Sequence, residues 1–283
     1  MSTELSECIP PDLTPTTKLL RQLRHHLTST TTPPGTYPTT YVVLLLTGSF
    51  CPIHVKHVRL FDQVRSRLHT TMPDHRVVAG YISPSHDTYV RSKLRAGHIP
   101  AAHRIAMARL CVQGSDWVDV DAWEAMGVRY FVDFLSVTER LQRHLNEVVR
   151  QSDVVLNPRR FEVWFLSGAD LVMRASLNFE TMARVGIKSV CVFRALPMYQ
   201  IGTEDELVAY IQKTFGARWW RNIVLLDTST GGQEDELSST KIREKLKEGK
   251  EVDGMVAKEV AEYLMLHRIL ACNLNEDASI LIA

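Results

Sequence analysis

Directly after the apolar run Tyr41-Val-Val-Leu-Leu-Leu46, the chain reads Thr47-Gly-Ser-Phe-Cys-Pro-Ile-His-Val-Lys-His57. An uninterrupted apolar run of strand length, closed by a glycine turn, describes a strand buried on both faces. The turn then opens a helix with two histidines near its start. No other feature constrains the fold as much, because such a strand needs parallel neighbours and helices above and below its sheet. The remainder of the chain supplies both. Strands are expected at 41–47, 76–82, 117–120, 161–167, 187–193 and 222–226. Helices are expected near 55–68, 103–112, 127–150, 204–214, 239–248 and 256–268.

The expected class is therefore α/β, a Rossmann-like parallel sheet with helices on both faces, whose ligands bind beyond the carboxyl ends of the strands. A length of 283 residues accommodates that sheet in one domain, expected over 41–270. Residues 1–40 are rich in Thr, Pro and Ser, with helical periodicity only over Lys18 to Leu27, and are expected as a mostly flexible extension. Residues 271–283 are expected as a C-terminal tail. A formal net charge of +1 gives no overall field for nucleic acid or an anionic membrane, so any anion site must be local. The five scattered cysteines form no C-x-x-C pair. That argues for reduced thiols in an intracellular setting, cytoplasm or nucleus, rather than a disulfide framework or a zinc site.

Two distant segments carry phosphate chemistry. Gly48 lets backbone approach a phosphate, Pro52 fixes the turn, and His54 and His57 lie three apart on one helical face. Imidazoles there can donate to phosphate oxygens as charge builds on them. Far along the chain, Leu237-Ser-Ser-Thr-Lys-Ile-Arg243 opens another helix, offering free N–H groups, hydroxyls and a guanidinium that can grip a triphosphate. The first segment contains neither the Walker lysine nor a G-x-G-x-x-G turn. Read alone, either segment could be a capped helix start; together they are far more specific.

The pair resembles the nucleotidylyltransferase superfamily, and blocks between them narrow the likeness. Gly80-Tyr-Ile-Ser-Pro-Ser-His-Asp-Thr-Tyr89, Gly97-His-Ile-Pro-Ala-Ala-His-Arg104, Trp117-Val-Asp-Val-Asp-Ala-Trp-Glu124 and Leu166-Ser-Gly-Ala-Asp-Leu171 are similar to the eukaryotic nicotinamide-mononucleotide adenylyltransferases. The resemblance implies that Gly48, Ser49, Phe50 and His57 contact nucleotide, that Gly168 and Asp170 hold the adenosine ribose, and that Ser239, Thr240, Lys241 and Arg243 wrap the triphosphate. For the mononucleotide it implies Ser49, Tyr130 stacking on the pyridine ring, Arg194 beside the nucleotide, and a cation from the longer basic loop, Arg91, Lys93 or Arg95. The second stacking Trp of relatives is missing, with Phe179 as the candidate substitute, and Cys51 stands where many relatives carry Asn. Asp133, one helical turn past Tyr130 if the helix runs through both, is expected near the ring, where it would disfavour an acidic acceptor.

The expected reaction joins ATP to nicotinamide mononucleotide, or its nicotinic-acid counterpart, releasing pyrophosphate. His57, His54 and Arg243 are expected as catalytic, with Mg²⁺ held mainly by substrate phosphates. Small molecules are the expected partners, with no nucleic acid and no membrane; the sequence leaves room for a homo-oligomer.

Overall fold

The computed structural model describes residues 13–28, 38–156, 160–193, 197–215, 222–227 and 237–270. Its strands are β1 (Thr40–Gly48), β2 (His75–Pro84), β3 (Val118–Val120), β4 (Arg160–Gly168), β5 (Ser189–Phe193) and β6 (Ile223–Asp227). All pair parallel, in the order β3-β2-β1-β4-β5-β6. The helices are α1 (Thr17–Thr28), α2 (Val55–Thr71), α3 (Asp87–Leu94), α4 (Ala101–Val112), α5 (Trp123–Met126), α6 (Phe134–Gln151), α7 (Ala169–Arg174), α8 (Ser176–Arg184), α9 (Glu204–Phe215), α10 (Ser239–Lys247) and α11 (Lys258–Leu266). The α/β class and each of the six strands follow the reading of the apolar runs.

The central strand shows why. Along β1, Val42, Leu44 and Leu46 enter one apolar core, while Tyr41, Val43 and Leu45 enter the other. The first core takes Phe61, Val64 and Leu68 of α2 with Val260 and Leu264 of α11; the second takes Val137, Leu141 and Leu145 of α6 with Leu207 and Ile211 of α9. Alternate side chains point to opposite faces, so a strand with helices on both sides must be apolar at every position.

Two expectations need correction. The helical periodicity over Lys18 to Leu27 is met by α1, but the segment is docked rather than a free extension: Leu19 and Leu23 are buried in the second core, and Lys18 Nζ donates to the Val118 carbonyl at 2.6 Å. Thr14 Oγ1 donates to Asp121 Oδ1 at 2.6 Å, and Arg140 Nη1 reaches the same carboxylate at 2.9 Å. The expected helix over 127–150 begins instead at Phe134. The short α5 stops at Met126, and Asp133 caps α6 by accepting the Ser136 N–H at 2.9 Å, a cap that a helix running through it could not offer. Among the described residues, no helix is long and apolar enough to cross a membrane.

Candidate active site

A cleft of about 430 Å³ lies beyond the carboxyl ends of β1 and β4. Strand order reverses between those two strands, the place where a doubly wound sheet opens a crevice. One wall is the turn after β1. Phe50 there has φ +41°, a left-handed conformation uncommon for a residue with a side chain, and its ring folds back over Gly48. A Cβ at Gly48 would lie 3.2 Å from that ring. The ring meets His57 edge-on, with centroids 5.0 Å apart.

His57 lines the cleft, and its Nδ1 accepts the His54 backbone N–H at 3.2 Å. Nδ1 being an acceptor, the proton of the neutral ring sits on Nε2. Burial, with His54 beside it, holds the His57 imidazole well below its ordinary pKa. The ring is thus a neutral donor at physiological pH. His54 plays another part. It precedes the first turn of α2, does not line the cleft, and stacks on His57 with centroids 3.6 Å apart; burial pushes its pKa down to about 4. Of the two histidines expected as catalytic, His57 thus lines the cleft while His54 stacks behind it.

The opposite wall is the start of α10, and side chains tie it to the first. Ser239 Oγ donates to the Pro52 carbonyl at 2.8 Å. Arg243 donates from Nη1 to the Cys51 carbonyl at 2.9 Å and from Nη2 to Thr240 Oγ1 at 3.0 Å. Arg243 passes close to Gly97, where a Cβ would come within 3.1 Å of its Nε. Ser239, Thr240 and Arg243 all line the cleft. Lys241 does not; its backbone N–H is taken by Ser238 Oγ, which caps the helix. The two phosphate segments, nearly two hundred residues apart, are thus one unit.

Arg104 anchors this unit from beneath. Fully buried, it donates to the carbonyls of Ile99 (2.9 Å), Ser49 (3.1 Å) and Ser85 (2.7 Å), and to Asp87 Oδ1 (2.8 Å). Burial alone would raise the Asp87 pKa; the bonds from Arg104, the Ala101 backbone and His98 outweigh it and hold it below the usual carboxylate value. A single guanidinium therefore fixes the turns after β1 and β2 together. In the sequence Arg104 is one of two arginines, with Arg109, in the largely apolar α4.

At the end of β4, Gly168 and Asp170 line the cleft as expected. Asp170 Oδ2 accepts from Arg174 at 2.9 Å, and Arg174 is a cleft cation that sequence reasoning missed. At the far end, Lys93 of the three candidate cations is the one that lines the cleft, its Nζ 5.6 Å from the Tyr89 ring centroid. Arg95 ends α3 with φ +47° and is absent from the lining; Arg91 pairs with Asp87 at 3.7 Å.

The aromatics that line the cleft differ from those expected. Tyr130 is 73% exposed and outside the cleft, whereas Phe131 lines it and stacks on Tyr89, centroids 4.6 Å apart. The irregular stretch before α6 causes this one-residue offset. Asp133 is turned to its capping bonds and does not line the cleft. Phe179 is buried against Phe134 and Phe165, so it is core; Phe134 itself reaches the cleft. Arg194 lies outside the described residues. Glu124, not singled out from the sequence as a site residue, lines the cleft at 1% exposure, accepting the His86 N–H at 3.1 Å. Burial raises its pKa to about 8.

Residues 45–245 match the cytidylyltransferase-like family. The chain belongs to that family. Among relatives, the chain is 27% identical over 84% of its length to nicotinamide/nicotinic acid mononucleotide adenylyltransferase 1 of Bos taurus, spanning 91% of that protein. It is 28% identical over 80% of its length to nicotinamide/nicotinic acid mononucleotide adenylyltransferase of Oryza sativa subsp. japonica, spanning 85% of that protein. A shorter match, 44% identical over 85 residues, is to nicotinamide/nicotinic acid mononucleotide adenylyltransferase 2 of Danio rerio and spans 26% of that protein. Among solved structures, the fold is shared with Plasmodium falciparum nicotinic acid mononucleotide adenylyltransferase complexed with NaAD, at TM-score 0.54 and 11% identity, over 81% of this chain and 97% of that one.

Proposed function

We propose that this family member is a nicotinamide/nicotinic acid mononucleotide adenylyltransferase. It transfers the adenylyl group of ATP to nicotinamide mononucleotide, and to nicotinic-acid mononucleotide, giving NAD or its deamido form and pyrophosphate. The observation that carries this reading is the joining of the two phosphate segments across one cleft at the strand-order reversal, Ser239 to Pro52 and Arg243 to Cys51. The names of full-length relatives support the same activity.

An oxygen of the acceptor's 5′-phosphate attacks the α-phosphorus of ATP. A new P–O bond forms as the bond from the α-phosphorus to the bridging oxygen breaks, and pyrophosphate carries away the negative charge. The attacking phosphate is already ionised, so no general base is needed. Catalysis then consists of alignment and charge stabilisation. In this reading His57 donates from Nε2 to the triphosphate, and Arg243, Ser239 and Thr240 hold its outer oxygens. Gly168 and Asp170 take the adenosine ribose. Lys93 meets the acceptor phosphate, with Phe131 and Tyr89 against the pyridine ring.

Mg²⁺ is the proposed cofactor. Among the described residues no group of three His, Cys, Asp or Glu converges to cage an ion, while the phosphate end of the cleft is lined by hydroxyls and a guanidinium. That donor set fits an ion carried mainly by substrate phosphates and water. When bound, it neutralises charge on the phosphoryl oxygens.

The test is pyrophosphate release with ATP and each mononucleotide, with CTP as the control donor. NAD formation from ATP is the expected result. Turnover with neither mononucleotide would refute the reading.

A further inference from the structure

We propose that Glu124 is the specificity-determining residue of the acceptor end, its carboxyl group reading the amide or carboxylate on the pyridine ring. The inference rests on the adenylyltransferase reading and extends it to a residue outside both phosphate segments.

Among the described residues, two carboxyl groups line the cleft, Asp170 and Glu124. Asp170 stands at the end of β4 and is paired with Arg174 at 2.9 Å. Glu124 belongs to the other end, where Tyr89, Leu94, Phe131, Val132 and Phe134 make a mostly apolar wall, with Ser85 and Lys93 as its other polar members. Its side chain is held in place: Oε1 accepts the His86 N–H at 3.1 Å, and the Ser85 hydroxyl bonds the same carboxyl. No salt bridge between Glu124 and a cation is found among the described residues. A polar group fixed in an apolar wall discriminates strongly between ligands that satisfy it and ligands that do not.

The two acceptors differ only in the ring substituent. The amide offers N–H donors that a carboxylate oxygen of Glu124 can accept. The acid offers an anion, which an ionised Glu124 repels and a protonated one can meet with its O–H. The raised pKa of Glu124 means both forms are populated near neutral pH. The charged and titratable groups facing it are Arg104 of α4, Asp121 after β3, His86 and Asp87 after β2, and Tyr89 and Lys93 of α3, with Arg140 of α6 bound to Asp121. A neighbouring charge that stays constant multiplies the amide-over-acid ratio of kcat/KM by a constant factor, so it is the change of that ratio with pH, and its loss on removing the carboxyl, that isolates Glu124.

Two measurements test this. In the intact wild-type protein, the amide-to-acid ratio is expected to rise by about fivefold or more between pH 6.5 and pH 9, as Glu124 ionises against the acid. In Glu124→Gln, the ratio is expected to become flat with pH, with the KM for ATP within about twofold of wild type. A wild-type ratio that does not change with pH overturns the assignment, and this holds even where the variant does not fold. A variant that lowers both acceptors by one common factor also overturns it, since that is the signature of a structural residue. Turnover with neither acceptor brings down the adenylyltransferase reading itself, and this inference with it.

Discussion

Replacing Arg104 with methionine tests the claim that one buried guanidinium assembles both sides of the cleft. The substitution fills most of the volume and removes every donor. Four contacts disappear: the carbonyls of Ile99, Ser49 and Ser85, and the carboxylate of Asp87. Removing one partner of a buried ion pair costs about 3–5 kcal/mol. The lower end applies here, because Asp87 is 21% exposed and keeps His98 Nε2 at 3.2 Å. At roughly 2–4 °C per kcal/mol for a chain of this size, the melting temperature should fall by about 6–12 °C. Activity should fall further than stability explains. Ser49 belongs to the phosphate turn and Ser85 to the acceptor side, so losing the tie lets the two substrates drift apart, and misplacement near 1 Å costs about a hundredfold in rate. The assay is thermal unfolding by circular dichroism, followed by turnover well below the lowered transition. A melting shift within about 2 °C together with kcat within a few-fold of wild type would refute the reasoning, since the three carbonyls would then be satisfied without Arg104.

His57→Ala should lower kcat by about a hundredfold or more with little change in melting, because the proposed mechanism uses its Nε2–H as a donor mainly in the transition state; near-normal turnover on a saturating-substrate assay would contradict it. Arg243→Ala should raise the KM for ATP more than that for the mononucleotide, and Lys93→Ala should do the reverse, by about tenfold each; the opposite split in initial-rate data would mean the two ends of the cleft have been exchanged. Stability should also depend on pH. His54, His26 and His69 are held near 4 in the folded protein, chiefly by burial, against about 6.5 when unfolded. Their contribution is fully present above about pH 6.5 and is lost as pH falls toward 4, because the unfolded chain then binds more protons. For His54 the upper bound is about 3 kcal/mol, while the partly exposed His26 and His69 add less each through solvent screening. Urea midpoints at pH 7.5 and pH 5 measure the loss, and equal midpoints would show that these rings take up protons without unfolding.

The sequence by itself determined the sheet and where its ligand must bind. Runs such as Val42 to Leu46 are apolar at every position, and only a strand covered on both faces needs that. The glycine turn after β1 and the serine cap of α10 were legible for a similar reason, since backbone conformation and helix capping depend on residues a few positions away. Apart from the two phosphate segments, whose pairing the family resemblance implied, the sequence could not reveal what depended on contacts between distant segments. Nothing local tells that Lys18 and Thr14 reach Val118 and Asp121, so residues 13–28 read as part of a mostly flexible extension when they are docked on the core. The irregular stretch before Phe134 shifts the cleft aromatic from Tyr130 to Phe131 and leaves Asp133 as a cap, because helix starts are set by which side chain wins the free N–H groups. Arg104 and Glu124 carry ordinary charges in the sequence. Their roles were decided only when the tertiary structure removed water from around them, leaving backbone groups of other loops as their partners.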